Sequence, residues 1–479
     1  MVNQYPTQLT AKTRVRHYAA DFRKLDELFP GKYPRMFVHG EGTDLIDSDG
    51  QRVLDAGNHL GVCVVGHGRG DIADAVAAQI RGLEFVSLEA GASHPYVAAL
   101  GEELAGRVPV DNPIFSFTSS GSEANEVAMK VARDYHRRRG ESGRFKIMSR
   151  YGSYHGSSYG ATTATSIPAF REPFQPLVPG FVSLPQPFAG FCGSCSFGED
   201  CVGHCIEETA AIIEQEGPHT IAAILAEPVS IPGAVKVPHN DYWPRLRELC
   251  DRYGILLIAD EVVTGFGRTG TLFACEHWGV RPDILTMAKG LTSGYVPMGA
   301  AAVSGRVQEA FEGSPLVHVN TYAGHPVASI AALTTLKIID EEGLVANAAA
   351  REPELRLRLE EIGAQVPWPA RASVIGLLGS LEISLPDDVD AERFRALLWH
   401  ESYEQGVVVR VTRAAQIVSV FFYPPLVITS DRLQEGLDHL AAAVRRVTTT
   451  TLMDDGRVEV GPSAEIQASA ELAHAASTR

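Results

Sequence analysis

The sequence has few positive charges for its length and no long apolar run. Its 479 residues include 42 lysines and arginines against 58 aspartates and glutamates, a formal net charge of −16. A surface with this excess of negative charge repels phosphate backbones and anionic lipid headgroups, so we expect neither nucleic acid nor a membrane as a partner. Because no run reaches about 18 apolar residues, the sequence predicts no helix that spans a bilayer.

Cysteine is also scarce, yet four of the seven cysteines fall within FCGSCSFGEDCVGHC, residues 191–205. The N-terminal stretch has basic residues but no apolar core, which is atypical of a secretory signal, so we expect a cytoplasmic protein. Thiols stay reduced in that compartment, and a disulfide framework is therefore not predicted.

The cysteine cluster has two interpretations. Zinc accepts four thiolates, so the cluster is a candidate structural zinc site. Its central gap is shorter than in zinc ribbons and fingers, which favours ordinary reduced thiols. The residues concerned are Cys192, Cys195, Cys201 and Cys205.

Short apolar runs alternate with helical periods from about residue 66 to residue 330. Between IFSF and RFKIMSR, the segment GSEANEVAMKVARDYHRRR has apolar residues at helical spacing. Strands that alternate with helices predict an α/β fold with a mostly parallel sheet covered on both faces. The predicted strands are IFSF, RFKIMSR, TIAAILAE, GILLIADE and DILTMAKG, and farther on VIGLLGSLEIS, GVVVRVT and IVSVFFYPPLVIT.

The same pattern divides the chain into four predicted parts. Asp49-Gly50, between two alternating runs, indicates a hairpin in the first part. The last part is small, polar and weakly patterned, which is typical of a flexible tail. The parts are an N-terminal arm and small-domain segment (1–65), a large domain (66–330), a small α+β domain (331–446) and the tail (447–479).

Polar residues follow several predicted strands, at the edge where parallel sheets form their sites. Lys289 follows DILTMA; it is either a surface lysine or a partly buried amine suited to Schiff-base chemistry. Asp260 ends GILLIAD, where a carboxylate either caps a loop or keeps a pyridine nitrogen protonated.

Two further stretches have a structural and a functional interpretation. Ser-Gly-Ser at 120–122 precedes the predicted helix, where free N–H groups and a hydroxyl either cap the helix or bind a phosphate. Tyr154 follows RFKIMSR, where an aromatic ring either packs in the core or stacks on a flat cofactor.

In this order and at these spacings, the motifs resemble the class III, or ω-amino-acid, aminotransferases, which depend on pyridoxal 5'-phosphate. The resemblance covers about residues 30–445 and includes YHG, LAEPV, ADEVVTGFGRTG, AKGLTSGYVPMGA and NTYAGHPVA. It implies fold type I: a large cofactor-binding domain with a mostly parallel seven-stranded sheet, and a small α+β C-terminal domain.

The resemblance also implies a role for each matching residue. Lys289 forms the Schiff base and then moves a proton, Asp260 pairs with the pyridine nitrogen, and Glu227 helps to orient Asp260. The other implied contacts are Ser120, Gly121 and Ser122 at the phosphate, Tyr154 and Val262 on the two ring faces, His155 and Gly156 along the wall, and Thr321 at the phosphate of the neighbouring subunit in a homodimer.

The implied activity is ping-pong transfer of an amino group between a primary amine or amino acid and a keto acid or aldehyde. Racemases, epimerases, aminomutases and decarboxylases of the family share these residues and remain alternatives. A metal-binding or redox-sensing protein built on the cysteine cluster is a less favoured hypothesis.

Two positions bear on the substrate. Many relatives carry tryptophan where this chain has Gly61, so the resemblance predicts a wider pocket and a bulky amine, unless neighbouring loops refill the space. Relatives also bind the substrate carboxylate with an arginine; Arg410 is the best match, and Arg413 is its rival.

Overall fold

The computed structural model of the protein describes residues 28–29, 35–57, 59–89, 91–188 and 201–454. Within these ranges the strands are β1 Phe37–Glu41, β2 Asp44–Asp47, β3 Arg52–Asp55, β4 Ile114–Thr118, β5 Lys146–Arg150, β6 Phe181–Leu184, β7 Ile221–Ala226, β8 Leu256–Asp260, β9 Ile284–Met287, β10 Gly299–Val303, β11 Ala370–Ile375, β12 Leu378–Ser384, β13 Val407–Val408, β14 Arg410–Ala414 and β15 Ile417–Phe422.

The α-helices alternate with the strands in the first half of the chain. Their bounds are Gly70–Gly82, Pro95–Ala105, Gly121–Arg138, Tyr159–Ala164, Pro168–Arg171, Cys201–Glu216, Tyr242–Tyr253, Gly305–Gln308, Pro326–Glu341, Leu344–Gly363, Ala391–Glu404 and Ser430–Asp454. None of the helices described is both long and apolar enough to cross a bilayer.

A seven-stranded sheet in the order β4-β10-β9-β8-β7-β5-β6 organises the larger part of the molecule. Only β10 runs against its neighbours; the strands from β9 to β6 pair in parallel. Every residue of β7 to β10 is buried. Parallel strands need helical crossovers that cover both faces, which explains these continuous apolar runs. The predicted mostly parallel sheet is confirmed.

The helix Gly121–Arg138 forms where its apolar spacing predicts it. Ser120 caps its first turn, since the hydroxyl accepts a hydrogen bond from the Glu123 N–H at 3.3 Å. The spaced apolar residues are buried: Ala124, Val127, Ala128, Val131, Ala132 and Tyr135. The cap fixes the N-terminus of this helix beside the carboxyl end of the sheet.

Two four-stranded sheets, β1-β2-β3-β13 and β11-β12-β15-β14, form the remainder. The hairpin predicted at Asp49-Gly50 joins β2 and β3, with Gly50 at φ +85°. Strand β3 also pairs in parallel with β13, so the N-terminal segment shares a sheet with the C-terminal region. VIGLLGSLEIS is not one strand as predicted, because Gly376 turns the chain at φ +55° between β11 and β12.

The last helix, Ser430–Asp454, extends into the range 447–479, for which the sequence predicts a tail. The residues after 454 lie outside the described part of the chain.

Candidate active site

The ends of four adjacent parallel strands bring the predicted site residues to one edge of the large sheet. Asp260 ends β8, Glu227 directly follows β7, and Lys289 lies two residues beyond β9. Tyr154 and His155 are on the loop after β5. Because neighbouring parallel strands end at the same edge, residues far apart in sequence become neighbours there.

Asp260 is buried and hydrogen-bonded through both carboxylate oxygens. Its Oδ2 accepts from the ring Nδ1 of His155 and from the amide Nδ2 of Asn125, each at 2.8 Å. Its Oδ1 accepts from the backbone N–H of Val262 at 3.1 Å. Several donors on a buried carboxylate compensate its desolvation and fix its orientation.

Sequence reasoning missed Asn125 and its partner Thr286. The Asn125 side chain also donates to the backbone oxygen of His155 at 2.7 Å and accepts from the Thr286 hydroxyl at 2.7 Å. One signal was present in the sequence. Asn125 is a polar residue next to Ala124 and one turn before Ala128, on the face of the helix that the apolar spacing predicts to be buried.

Lys289 has a backbone conformation that is uncommon for a residue with a side chain, with φ at +38°. Burial of the amine lowers its pKa from 10.5 to about 8, and the charge of Arg410 acts in the same direction. The charges of Asp260 and Glu227 oppose this shift. The amine is therefore substantially neutral near pH 8, as a nucleophile must be.

Glu227 connects the site to a buried arginine that sequence reasoning also missed. Its Oε1 accepts from the Tyr154 N–H at 3.1 Å, and its Oε2 lies 3.4 Å from Nη2 of the fully buried Arg150. Burial raises the pKa of the Glu227 carboxyl, whereas the charges of His155 and Arg150 lower it. Glu227 thus fixes the backbone of the Tyr154 loop.

The capped helix N-terminus forms a cradle with no room for additional side-chain atoms. A Cβ on Gly156 would lie 2.5 Å from the Ser122 Oγ, and one on Gly121 would lie 2.8 Å from a methyl carbon of Val262. The Ser122 hydroxyl accepts from the Ser157 N–H at 3.1 Å. Backbone N–H groups at such a terminus bind anions, and phosphate in particular.

Tyr154 and Val262 are both partly buried beside this cradle. The Tyr154 hydroxyl is 2.9 Å from the Ser157 Oγ, and its ring packs edge-on against Phe170 at 5.5 Å between centroids. These contacts hold the Tyr154 ring in place. Thr321, by contrast, is exposed, although the side chain of the adjoining Asn320 donates to Glu123 Oε2 at 2.9 Å, in the first turn of the helix that forms the cradle.

The two predicted substrate positions lie near the same edge of the sheet. Gly61 is buried at φ +78°, and a Cβ there would lie 3.2 Å from a methyl carbon of Val263, next to Val262. The guanidinium of Arg410 lies over the Phe421 ring at 5.9 Å. Its charge acts on Lys289, which indicates proximity to that amine.

The rival arginine, Arg413, is engaged elsewhere. Its Nε lies 3.0 Å from Glu392 Oε2, and its Nη1 donates to the Ala415 carbonyl at 3.1 Å. These contacts favour Arg410 as the carboxylate-binding residue.

The cysteine cluster falls mainly outside the described residues, which exclude Cys192 and Cys195. Cys201 begins the helix Cys201–Glu216, and the buried Cys205 thiol donates to the Gln186 carbonyl at 3.3 Å. In the part of the chain that is described, no three His, Cys, Asp or Glu residues are grouped to hold a metal ion. Both interpretations of the cluster, ordinary reduced thiols and the less favoured zinc site, therefore stay predictions.

The arrangement fits pyridoxal phosphate by the chemistry of its donors and by its shape. Lys289 supplies an amine with a depressed pKa, and Asp260 supplies a buried, hydrogen-bonded carboxylate. The helix N-terminus after Ser120 supplies an anion cradle that a Cβ on Gly156 would fill. The amine suits the aldehyde of the cofactor, the carboxylate suits its basic ring nitrogen, and the cradle suits its phosphate.

Comparisons with known proteins agree with this chemistry. The sequence matches the Aminotransferase class-III family over residues 30–444. It is 34% identical over 439 residues to a putrescine–pyruvate aminotransferase from Pseudomonas aeruginosa, covering 88% of this chain and 94% of that protein. It resembles the PLP-bound crystal structure of an amine transaminase from an uncultivated Pseudomonas species, with 34% identity, a TM-score of 0.84, and coverage of 91% of this chain and 99% of that chain.

A third relative is a thermostable omega transaminase variant in which glycine replaces a tryptophan, engineered for asymmetric synthesis of enantiopure bulky amines. Its structure has a TM-score of 0.85 with this chain at 30% identity, over 92% of this chain and 98% of that one. The family match, the relatives and the site chemistry agree. The chain belongs to the class III aminotransferases of fold type I, pyridoxal-phosphate-dependent enzymes that transfer amino groups by a ping-pong mechanism.

Proposed function

We propose that this enzyme takes bulky primary amines or amino acids as donors and passes the amino group to a keto acid or an aldehyde. The observation that carries the proposal is Gly61, which is buried beside Val263 and has no side chain at the position where the resemblance implies a tryptophan in many relatives. The engineered relative with glycine in place of a tryptophan was made for bulky amines, and we infer that Gly61 has the same effect here.

A donor series tests this proposal, with pyruvate as acceptor and amines of increasing size around the reacting carbon. Gly61→Trp is expected to keep activity with the smallest donors and to lose most activity with the bulkiest. Gly61→Ala is the matched control, because it has the same left-handed backbone cost at φ +78° without the bulk. Equal losses for small and bulky donors in Gly61→Trp would contradict the proposal.

We further propose that Arg410 binds the carboxylate of the acceptor. An arginine fork binds a carboxylate through two parallel hydrogen bonds, so Arg410→Met should raise KM for keto acids far more than for donors without a carboxylate. Arg413→Met is the matched control, since Arg413 already pairs with Glu392. Similar effects of the two variants would contradict this assignment.

The roles proposed for the remaining residues follow from their contacts. When bound, pyridoxal phosphate supplies an aldehyde that condenses with amines and a ring that accepts an electron pair. Lys289, as a neutral amine, would hold the cofactor through its aldehyde carbon. Once a substrate amine has taken its place there, the freed Lys289 amine would remove the proton from the substrate carbon. Asp260 holds the proton on the ring nitrogen, and Glu227 supports the loop that carries Tyr154.

The cofactor's phosphate and ring are proposed to lie in the cradle and beside its walls. Ser120, Gly121 and Ser122 bind the phosphate, and Tyr154 and Val262 enclose the ring, with His155 behind it. Lys289→Ala should retain cofactor through the phosphate, lose the covalent absorbance band and lose turnover. Undiminished turnover in that variant would overturn these assignments.

We also propose a cytoplasmic homodimer in which Thr321 of each subunit contacts the phosphate bound by the other. Thr321 is exposed in the single chain, so it is available to a second copy. Three buried cysteines in the described ranges are free thiols, in keeping with a reducing compartment: Cys63, Cys250 and Cys275.

A further inference from the structure

We propose that Asn125 is a positioning residue for amino transfer: it fixes the Asp260 carboxylate so that one oxygen is held for the ring nitrogen of the cofactor. The proposal rests on the proposed pairing of Asp260 with that nitrogen. It concerns a residue outside the predicted set, on the helix Gly121–Arg138 whose N-terminus forms the phosphate cradle.

The orientation of the Asn125 amide is determined by its partners. Its Oδ1 accepts from the Thr286 hydroxyl at 2.7 Å, and its Nδ2 donates to the His155 carbonyl at 2.7 Å and to Asp260 Oδ2 at 2.8 Å. A flipped amide would set its oxygen against a carbonyl and a carboxylate, which are both acceptors. Both N–H groups are therefore committed, and the side chain has one stable orientation.

The effect on Asp260 is asymmetric between its two oxygens. Among the residues that the structure describes, Oδ2 receives two side-chain donors, from Asn125 and His155, whereas Oδ1 receives only the Val262 N–H at 3.1 Å. A carboxylate oxygen accepts about two hydrogen bonds, so Oδ1 retains a lone pair for one more donor. A protonated pyridine nitrogen is the donor that the family's cofactor brings.

Three elements thereby meet at one buried amide. Asn125 comes from the helix, Asp260 from β8, and Thr286 from β9, where it is the direct neighbour of Asp260 in the strand register. Asn125 is 1% exposed and Thr286 is fully buried. Because unpaired buried groups are costly, loss of the amide would leave the Thr286 hydroxyl and the His155 carbonyl unsatisfied and free Asp260 to rotate.

A positioning role and a purely structural role predict different results. If Asn125 only links the helix to the sheet, its substitution lowers the stability of the protein but leaves the protonation of the bound cofactor unchanged. A positioning residue also alters the protonation of the ring nitrogen, because an Asp260 that has rotated no longer presents Oδ1 to that proton and stabilises it less. The ring nitrogen is therefore the readout that separates the two.

The experiment uses the cofactor-loaded enzyme and compares Asn125→Ala with Asn347→Ala. Asn347 is a matched control, since its Nδ2 also donates to two carbonyls, Leu426 at 2.7 Å and Ile428 at 2.9 Å, away from the site. Nitrogen-15 NMR of ring-labelled cofactor, followed from pH 6 to 9, measures ring protonation. Kinetics with the natural cofactor and with its analogue carrying carbon in place of the ring nitrogen measure the consequence.

We expect the ring nitrogen of Asn125→Ala to lose its proton at a lower pH than in wild type, and kcat to fall about tenfold or more. With the carbon analogue, wild type and Asn125→Ala should have nearly equal kcat. The analogue has no ring nitrogen, so the orientation of Asp260 can no longer affect the protonation of the ring. Asn347→Ala should lose stability only. If Asn125→Ala has the ring titration of wild type, or if its kinetic loss persists in full with the analogue, the inference is wrong.

A second variant tests the inference if Asn125→Ala fails to fold. Thr286→Val removes only the hydroxyl that holds Asn125 Oδ1 and nearly preserves the volume, so it should shift the ring titration in the same direction by a smaller amount. An unchanged titration in Thr286→Val would then overturn the inference. Failure of the proposed function is distinguishable, since an unprotonated ring nitrogen in wild type would contradict the role of Asp260 itself.

Discussion

The charge of Lys289 is set by burial and by three neighbouring charges. Burial and Arg410 lower its pKa, Asp260 and Glu227 raise it, and the result is about 8 against an ordinary 10.5. Because the folded pKa lies below the unfolded one, charging this amine costs stability at pH below 8, and the cost disappears as pH rises towards 10.5. The folded protein thus holds a lysine that gives up its proton easily.

A pH dependence of cofactor binding follows. The rate at which cofactor-free protein forms its covalent absorbance band should rise with pH and reach half its maximum near pH 8, since only the neutral amine condenses with an aldehyde. Arg410→Met removes a positive charge and should move the midpoint to higher pH. Stopped-flow absorbance at a series of pH values measures both. Arg413→Met, the matched control, should keep the wild-type midpoint, and a common midpoint for all three proteins would contradict this account.

At the scale of elements, strands and helices were predictable where local pattern decides them. The helix Gly121–Arg138 follows from its apolar spacing, and β8 and β9 from apolar runs that end in polar residues. The hairpin at Asp49-Gly50 follows from its turn residues. The apolar pattern did not predict the turn at Gly376, which lies inside the continuous run VIGLLGSLEIS. Such a run indicates strand structure but does not indicate where the chain reverses direction.

The site was predictable to the extent that its residues occur in recognisable motifs. Asn125 and Arg150 were not, because their partners are far along the chain: Asn125 bonds Asp260 at a separation of 135 residues, and Arg150 bonds Glu227 at a separation of 77. A buried amide or guanidinium acquires its role from the fold that surrounds it. Sequence spacing alone cannot supply that information.

The contact between the β5 loop and the helix N-terminus yields a prediction about cofactor affinity. Gly156→Ala would set a Cβ 2.5 Å from the Ser122 Oγ and 2.8 Å from the Ser122 Cβ, so Ser122 as a whole must shift and its hydroxyl leaves its place in the cradle. Cofactor affinity, measured by equilibrium dialysis, should fall about tenfold for one lost charge-assisted hydrogen bond. Gly140→Ala is the control: Gly140 also has a positive φ, +80°, with nothing within 4 Å, so it tests an alanine at positive φ without the clash. Equal cofactor affinity in both variants would refute the cradle.

At the scale of the whole molecule, the segment before Pro326–Glu341 presents apolar side chains to solvent. Val317 is 95% exposed, Val319 69% and Tyr322 59%, and Thr321 lies between them. Contiguous exposed apolar residues of this kind mark interaction surfaces. In the homodimer proposed above, a second copy of the chain would cover these side chains and bring Thr321 to a neighbouring phosphate.

Val317→Glu tests this arrangement, because a carboxylate buried in an interface without a partner strongly disfavours association. Analytical ultracentrifugation should give a dimer for wild type and a monomer, or a much weaker dimer, for the variant. Leu357→Glu is the matched control: Leu357 is also an exposed apolar residue, at 57%, but lies on the helix Leu344–Gly363.

The same variant has an expected effect on cofactor binding. In a monomer Thr321 would no longer reach a second site, so Val317→Glu should also bind cofactor more weakly, whereas Leu357→Glu should match wild type in both measurements. A dimer of undiminished stability in Val317→Glu would exclude this segment from the interface, and a monomeric wild type would exclude the homodimer.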